Sequence, residues 1–391
     1  MASFVEGDYS RAVPVVSSFY RIVDMQKHQT EDAVRFLIAE SDIYDSFPKL
    51  VRELAKMDMI ATAKRTRYAS RLMPTLSSTN LTVEDGIVVT VSKVQKQPPR
   101  QGSNRYLPSI PAILFIATLT VVFIDGLYRS QSDFANVFIR NPLLLAAVYT
   151  MSLVGILGVH EMGHMIAAKH HGIRASWPYF IPGIPGLFVP TFGAMIQIRS
   201  NMTNRNVLFD VGIAGPIAGL LVTMVVSVYG SSISVLVPAD RVQDLFGDSG
   251  LLRINSSILM QATLDLTGHG AAAGDAALIM SPVLFAAWVG FLITFLNLLP
   301  AWQLDGGHLA RSALGVRWHR ILTYSSVGVL TGLGYFIMAA FVLLFSSRAP
   351  ESTPLDDVSP LSKKRKALFW VAIALAVLCA PLPAEVFTSL A

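Results

Sequence analysis

Six apolar runs, each near the length a bilayer demands, constrain this chain more than any other feature. They lie at about residues 110–128, 142–166, 207–230, 278–300, 321–345 and 367–389. A hydrocarbon core of about 30 Å takes roughly 20 apolar residues of helix to cross. Composition agrees, with 52% of the 391 residues hydrophobic and 15% charged. The expected fold class is a polytopic α-helical membrane protein with about six transmembrane helices, preceded by a small N-terminal soluble α/β domain. The net charge of +5 is the basic excess of membrane-flanking loops, so no nucleic-acid partner is read from it. A single cysteine, Cys379, excludes an intramolecular disulfide framework and a thiolate metal cage. It reads as a packed thiol in the last apolar run.

Residues 1–107 are mixed and charged. Thr30 to Glu40 and Ser46 to Met57 carry apolar residues at helical spacing, with Phe36, Leu37, Leu50, Val51 and Leu54 on the inward faces. Leu81 to Val94 holds a β-branched run starting at Gly86, which predicts a strand. Gln97 to Tyr106 is a Pro- and Gly-containing linker. These features divide the chain into a soluble domain, 1–107, and a membrane region, 108–391, with its core at about 142–310. The first residues lack a charged stretch followed by an apolar core, so no signal peptide is expected and the first span directs insertion. Charge predicts a multi-pass protein of the cell membrane with a cytoplasmic N-terminal domain. Lys93, Lys169, Arg174, Arg205, Arg311 and Arg320 then fall inside, and only Arg129 and Arg140 fall in the first outer loop. In a six-span count, Lys363 to Lys366 falls outside, against that rule.

His160-Glu161-Met162-Gly163-His164 lies near the end of the second run. An H-E-x-x-H on a helix sets two imidazoles one turn apart on one face with a carboxylate beside the first. That spacing suits a tetrahedral zinc ion, and the Glu can take a proton from water. Counted from Pro142 at 1.5 Å per residue, His160 lies roughly 27 Å into the span. Ionisable groups at such depth are costly and default to function. A catalytic zinc takes three protein ligands and keeps one position open. Asp305, in Asp305-Gly306-Gly307-His308 after the fourth run, can supply the third. Two crossings separate it from His164, which returns it to the same membrane face. Pro300 breaks the helix, and Gly306 and Gly307 allow close backbone approach. His308 is the rival ligand; Asp305 is preferred because His308 lies three residues further toward the interface.

Taken together, these residues resemble the site-2 protease family of intramembrane zinc metalloproteases. Its H-E-x-x-H falls on His160, Glu161 and His164, and its N-x-x-P-x-x-x-x-D-G falls on Asn297, Pro300, Asp305 and Gly306. Stretches beginning at Pro178, Phe192 and Leu208 are similar to the archaeal and chloroplast-type branch. The likeness covers roughly residues 80–345 and no catalytic position departs from it. It implies that His160, His164 and Asp305 bind one zinc ion, that Glu161 is general base and acid, and that Asn297 positions substrate or oxyanion. It implies peptide-bond hydrolysis in membrane-spanning protein substrates near the cytoplasmic face. The loop after the third span is too short for an inserted PDZ domain, and only a short tail follows the sixth.

Two other classes stay open: a non-proteolytic zinc-binding membrane scaffold or transporter, and a peptidase acting on soluble peptides. Glu161 favours hydrolysis, since metal binding alone does not require it. A transporter built on repeats would show internal symmetry, and none is visible. Trp177 to Pro190 is too rich in Pro and Gly for a helix and should line a cavity. Phe192 to Arg199 reads as a strand whose edge could receive an extended substrate. An amphipathic stretch is expected near Leu251 to Leu266. Gly215 and Gly219 are spaced to let the third span pack tightly on the second. Asp210 reads either as a helix N-terminal charge or as an outer partner of a metal-bound imidazole. Asp125 is expected near the outer interface, and His170 and His171 at the inner one. His28, His269 and His319 are isolated.

Overall fold

The computed structural model describes residues 8–27, 32–66, 86–94, 110–130, 141–186, 189–198, 200–238, 255–269, 276–346 and 353–381. The chain forms two compact units. The first comprises Met1–Arg105, Asn201–Leu208 and Ser352–Ser362, and the second Tyr106–Ser200, Phe209–Glu351 and Lys363–Ala391.

The first unit is built from helix α1 (Ala12–Phe19), strands β1 (Ile22–Lys27) and β2 (Ala33–Ile38), helix α2 (Phe47–Ala55), and strands β3 (Met59–Thr66) and β4 (Gly86–Lys93). Its sheet runs β1-β2-β4-β3, with every neighbour antiparallel. In α2, Phe47, Leu50 and Leu54 recur at helical spacing and all are buried. The helical spacing read over Thr30 to Glu40 is corrected, because residues 33–38 are strand β2. β2 lies between two strands and every residue in it except Arg35 is buried. A strand covered on both faces loses its alternation, so its apolar positions mimic a helical stripe.

Two distant stretches complete this unit. The edge residue Ala63 donates its N–H to the Leu355 carbonyl at 2.7 Å, and Leu355 donates to the Met202 carbonyl at 2.8 Å. Arg205 pairs with Asp357 at 3.0 Å, and Asn206 bonds both the Tyr44 hydroxyl and the Ser362 amide. Residues 95–109, including the expected linker, and residues 81–85 lie outside the described residues.

The second unit is mostly helical. Helices α3 (Ile110–Ser130), α4 (Pro142–His170) and α5 (Arg205–Ser232, of which 205–208 belong to the first unit) are each long and apolar enough to cross a membrane. Between α4 and α5, strands β5 (Tyr179–Pro182) and β6 (Thr191–Met195) pair as an antiparallel hairpin. The strand expected over Phe192 to Arg199 is therefore shorter, with Ile198 making only an isolated bridge to Ala175. After α5 come strand β7 (Val235–Pro238), helix α6 (Ile258–Leu266) and strand β8 (Ala276–Ile279), with β7 and β8 paired. Ser257 caps α6 by accepting from the Met260 amide. Helix α7 (Pro282–Leu298) is a 17-residue apolar helix whose residues are almost all buried. It is followed by α8 (Asp305–Gly332), which is broken at Gly315, where φ +83° and ψ −176° are not helical, and then by α9 (Phe336–Ser346) and α10 (Lys363–Cys379).

The run 321–345, expected as one span, is divided. Helix α8 ends where Gly334 takes φ +84°, with Tyr335 N–H on the Leu330 carbonyl at 2.8 Å and Gly334 N–H on the Thr331 carbonyl at 3.1 Å. This pair of bonds is a Schellman stop, which needs glycine at its left-handed residue. The chain then doubles back. Trp302 meets α8 through its amide on Thr323 Oγ1, at 3.0 Å, and meets α9 through ring contact with Phe341 at 5.9 Å. Helix α10 begins beside α5, where Arg365 grips Asp210 through two 2.6 Å bonds. At its other end Cys379 packs in one buried cluster with Met260 and Leu264 of α6.

Candidate metal centre

The centre is assembled from α4, α5 and the junction between α7 and α8. Asn141 caps α4, its side-chain oxygen accepting from the Leu144 amide, and Pro142 occupies the first turn. From that start the helix carries His160, Glu161 and His164, all three buried. His160 Nε2 and His164 Nε2 lie 3.2 Å apart. Asp305 Oδ2 stands 3.2 Å from the first and 3.3 Å from the second.

These three atoms form a nearly equilateral triangle. Tetrahedral ligands bound to zinc at about 2.0–2.1 Å are separated by roughly 3.3–3.4 Å, so the triangle fits one face of such a site. The tautomer agrees. His164 Nδ1 lies 2.7 Å from the Val211 carbonyl, which can only accept, so Nδ1 carries the proton and Nε2 turns a lone pair inward. Among the described residues, His160, His164 and Asp305 are the group able to hold a metal ion.

Glycine brings α5 close enough to support this. A Cβ on Gly215 would lie 2.1 Å from His164 Nε2, and one on Gly219 would lie 3.0 Å from His160 Cβ. Conversely, a Cβ on Gly163 would meet the Ala214 carbonyl at 2.5 Å. The tight packing expected of Gly215 and Gly219 is therefore directed at the two imidazoles themselves.

Asp305 is the first residue of α8, and its placement depends on the turn before it. Cβ atoms on Gly306 and Gly307 would strike the carbonyls of Leu298 and Trp302 at 2.1 and 2.3 Å. Trp302 adopts φ +44°, uncommon for a large side chain. Its carbonyl accepts from His319 Nε2 at 2.9 Å and its amide is held by Thr323. His319, isolated in the sequence, thus braces the turn that presents Asp305.

The remaining candidates fall into place around the triangle. Asn297 Nδ2 lies 3.3 Å from His160 Nε2. The Ile196 backbone amide, just beyond β6, faces the Glu161 carboxylate. His308 stays outside the ligand group. Asp210 pairs with Arg365 and with His171 Nε2, at 3.1 Å, while the neighbouring Val211 carbonyl holds the imidazole of His164. Sequence reasoning missed Val211 because its contribution is a main-chain oxygen, which any residue type supplies.

Residues 148–341 match the model of peptidase family M50. That stretch is a peptidase M50 domain, of the family of the site-2 proteases. It contains every residue of the triangle, together with Glu161 and Asn297. The chain is similar to the probable zinc metalloprotease EGY1, chloroplastic, of Arabidopsis thaliana, being 32% identical over 232 residues, which are 58% of this chain and 41% of that protein. It is 28% identical over 282 residues to the probable zinc metalloprotease EGY2, chloroplastic, of the same plant, covering 68% of this chain and 48% of the relative. For EGY2 of Oryza sativa subsp. indica the identity is 28% over 296 residues, 73% of this chain and 53% of the relative. The chain thus spans about half the length of the relatives it matches.

Proposed function

We propose that the protein is an intramembrane zinc metalloendopeptidase that hydrolyses peptide bonds of membrane-spanning proteins near the cytoplasmic face. The observation that carries this reading is the triangle of His160, His164 and Asp305 with Glu161 beside it, the two histidines and Glu161 lying on a helix long and apolar enough to cross a bilayer. His160, His164 and Asp305 would hold one zinc ion, which when bound supplies Lewis-acid polarisation of the scissile carbonyl and of water. Glu161 takes a proton from the attacking water and delivers it to the leaving nitrogen. Asn297 directs its amide toward the same space and orients the substrate carbonyl. A helical substrate hides its peptide bonds in its own ladder, so it must unwind, and the edge of β6 running on to Ile196 offers it extended backbone partners.

Cleavage assays on a membrane-spanning substrate and a soluble peptide, each with Glu161→Gln as control, test the reading. Turnover of the membrane-spanning substrate only, abolished in the variant, is the expected result. Equal activity from both proteins removes the proteolytic reading, and turnover of the soluble peptide alone removes the intramembrane one.

The proposal extends to topology. In place of six crossings, it has α3, α4, α5, α7 and α10 crossing, with α8 and α9 forming a hairpin that returns to its starting face. The Schellman stop at Gly334 supports this, as do the contacts of Trp302 with both α8 and α9. Pairing of Arg365 with Asp210 supports a start for α10 on the face where α4 ends. Lys363 to Lys366 then joins the cytoplasmic side with the N-terminal unit, and the conflict with the positive-inside rule disappears. The relatives' names assign those proteins to chloroplasts; for this chain the reading is a multi-pass protein of the cell membrane. Lys364→Cys, at an exposed position, should react with an impermeant thiol reagent in inside-out vesicles and stay unlabelled in intact cells. Labelling from outside would refute this topology.

A further inference from the structure

Asp125 is a carboxylate within an apolar helix, α3, and it is completely buried among protein atoms. All of its bonds are directed inward. Oδ2 accepts from the Tyr149 hydroxyl of α4 and from Arg129 Nε one turn along α3, each at 2.7 Å. Oδ1 accepts from the backbone N–H of Gly186 at 3.0 Å. The Arg129 guanidinium in turn lies over the Phe285 ring of α7, 3.8 Å from its centroid. One charge pair thus touches three helices and a loop tip.

Gly186 belongs to the loop joining β5 to β6 and has φ +77°, a conformation that favours glycine. On α4, Tyr149 precedes His160 by eleven residues, or roughly 16 Å along the axis. The hairpin therefore reaches from the level of the metal ligands, where Ile196 faces Glu161, into the opposite half of the helix layer, where Asp125 receives its tip. Its flank lies on α3, with Phe180 in edge contact with Phe115 at 5.1 Å. Backbone at membrane depth must have its polar groups satisfied by protein or water, and at the tip that partner is a buried anion.

We propose that Asp125 is a positioning residue, pinning the tip of the β5–β6 hairpin so that the far end of the hairpin keeps its edge beside Glu161. A substrate that pairs with that edge loses binding when the pin is released, while His160 and His164, eleven or more residues along α4 from Tyr149, and Asp305 on α8 keep their places. The kinetic part of this inference rests on the proteolytic reading above; the structural part does not.

The test uses the full-length protein in bilayers with a spin label on Ile184→Cys, an exposed position in the hairpin loop; native Cys379 is buried. The tested variant is Asp125→Leu/Arg129→Leu, since removing both members of a buried ion pair leaves no stranded charge and is often tolerated. Expected are a more mobile label, a KM for a membrane-spanning substrate raised about tenfold, as one lost buried hydrogen bond warrants, and kcat and bound zinc as in the parent. Asp125→Asn/Arg129→Leu keeps an oxygen for the Gly186 amide, strands no cation and lets the amide nitrogen donate to the Tyr149 hydroxyl, so it should restore both line shape and KM. An unchanged line shape in Asp125→Leu/Arg129→Leu overturns the proposal, as does joint loss of zinc and activity, or failure of Asp125→Asn/Arg129→Leu to restore. If the parent cleaves nothing, the proteolytic reading has failed, and the line shape still decides the pin.

Discussion

Gly215→Ala is expected to abolish metal binding in a protein that still folds and inserts. The added Cβ would stand 2.1 Å from His164 Nε2, where no unbonded carbon can remain, so the imidazole or the α4–α5 contact must move. Retreat of α5 would give up the close packing that Gly163 and Gly219 allow along the same contact. The ring gives way instead. It then breaks its bond to the Val211 carbonyl and takes its Nε2 out of the triangle with His160 and Asp305. Loss of one of three protein ligands costs orders of magnitude in zinc affinity, since the loss of outer partners alone typically costs 10- to 100-fold. Metal analysis of the purified variant should return no bound zinc, with helix content as in the parent. Retention of zinc would show that α5 can retreat and that the glycine is not required for the imidazole.

Glu161→Gln is expected to separate chemistry from metal binding. The carboxylate lies beside the ligand triangle without belonging to it, so its amide should leave zinc content unchanged. A glutamine cannot accept and return a proton, and general acid–base catalysis of this kind contributes about 10²–10⁴-fold. Turnover of a membrane-spanning substrate should fall by at least that range with KM little altered. The two variants therefore fail differently, one without metal and one with it. Retained turnover in Glu161→Gln would require another base.

The grouping of His160, His164 and Asp305 was legible from side-chain spacing, because H-E-x-x-H encodes its own helix face and D-G-G marks a close backbone approach after a proline. What escaped was carried by backbone or by distant pairing. Val211 acts through a carbonyl, His319 matters only because the chain folds back at Trp302, and the partners of Asp210 lie on a helix far along the chain. Within the fold, length overrode local chemistry. Residues 321–345 were long enough for one span, yet Gly334 was the readable sign of a stop. In β2 the failure was physical, since a strand buried on both faces has no polar side to reveal its period.

The first unit also imposes an order of events during synthesis. Its edge strand β3 carries Ala63, whose main-chain partner is Leu355, and Leu355 is in turn bonded to Met202. A ribosome releases residues 8–94 long before either partner exists, and all the apolar helices up to α9 are made in between. Until then the strand edge is open, and open edges invite pairing with other chains. Completion of this unit is thus a late event, which follows synthesis of all the helices between its parts. On the topology proposed above, a chain that misinserted one helix would part Leu355 from β3 and leave that edge unsealed.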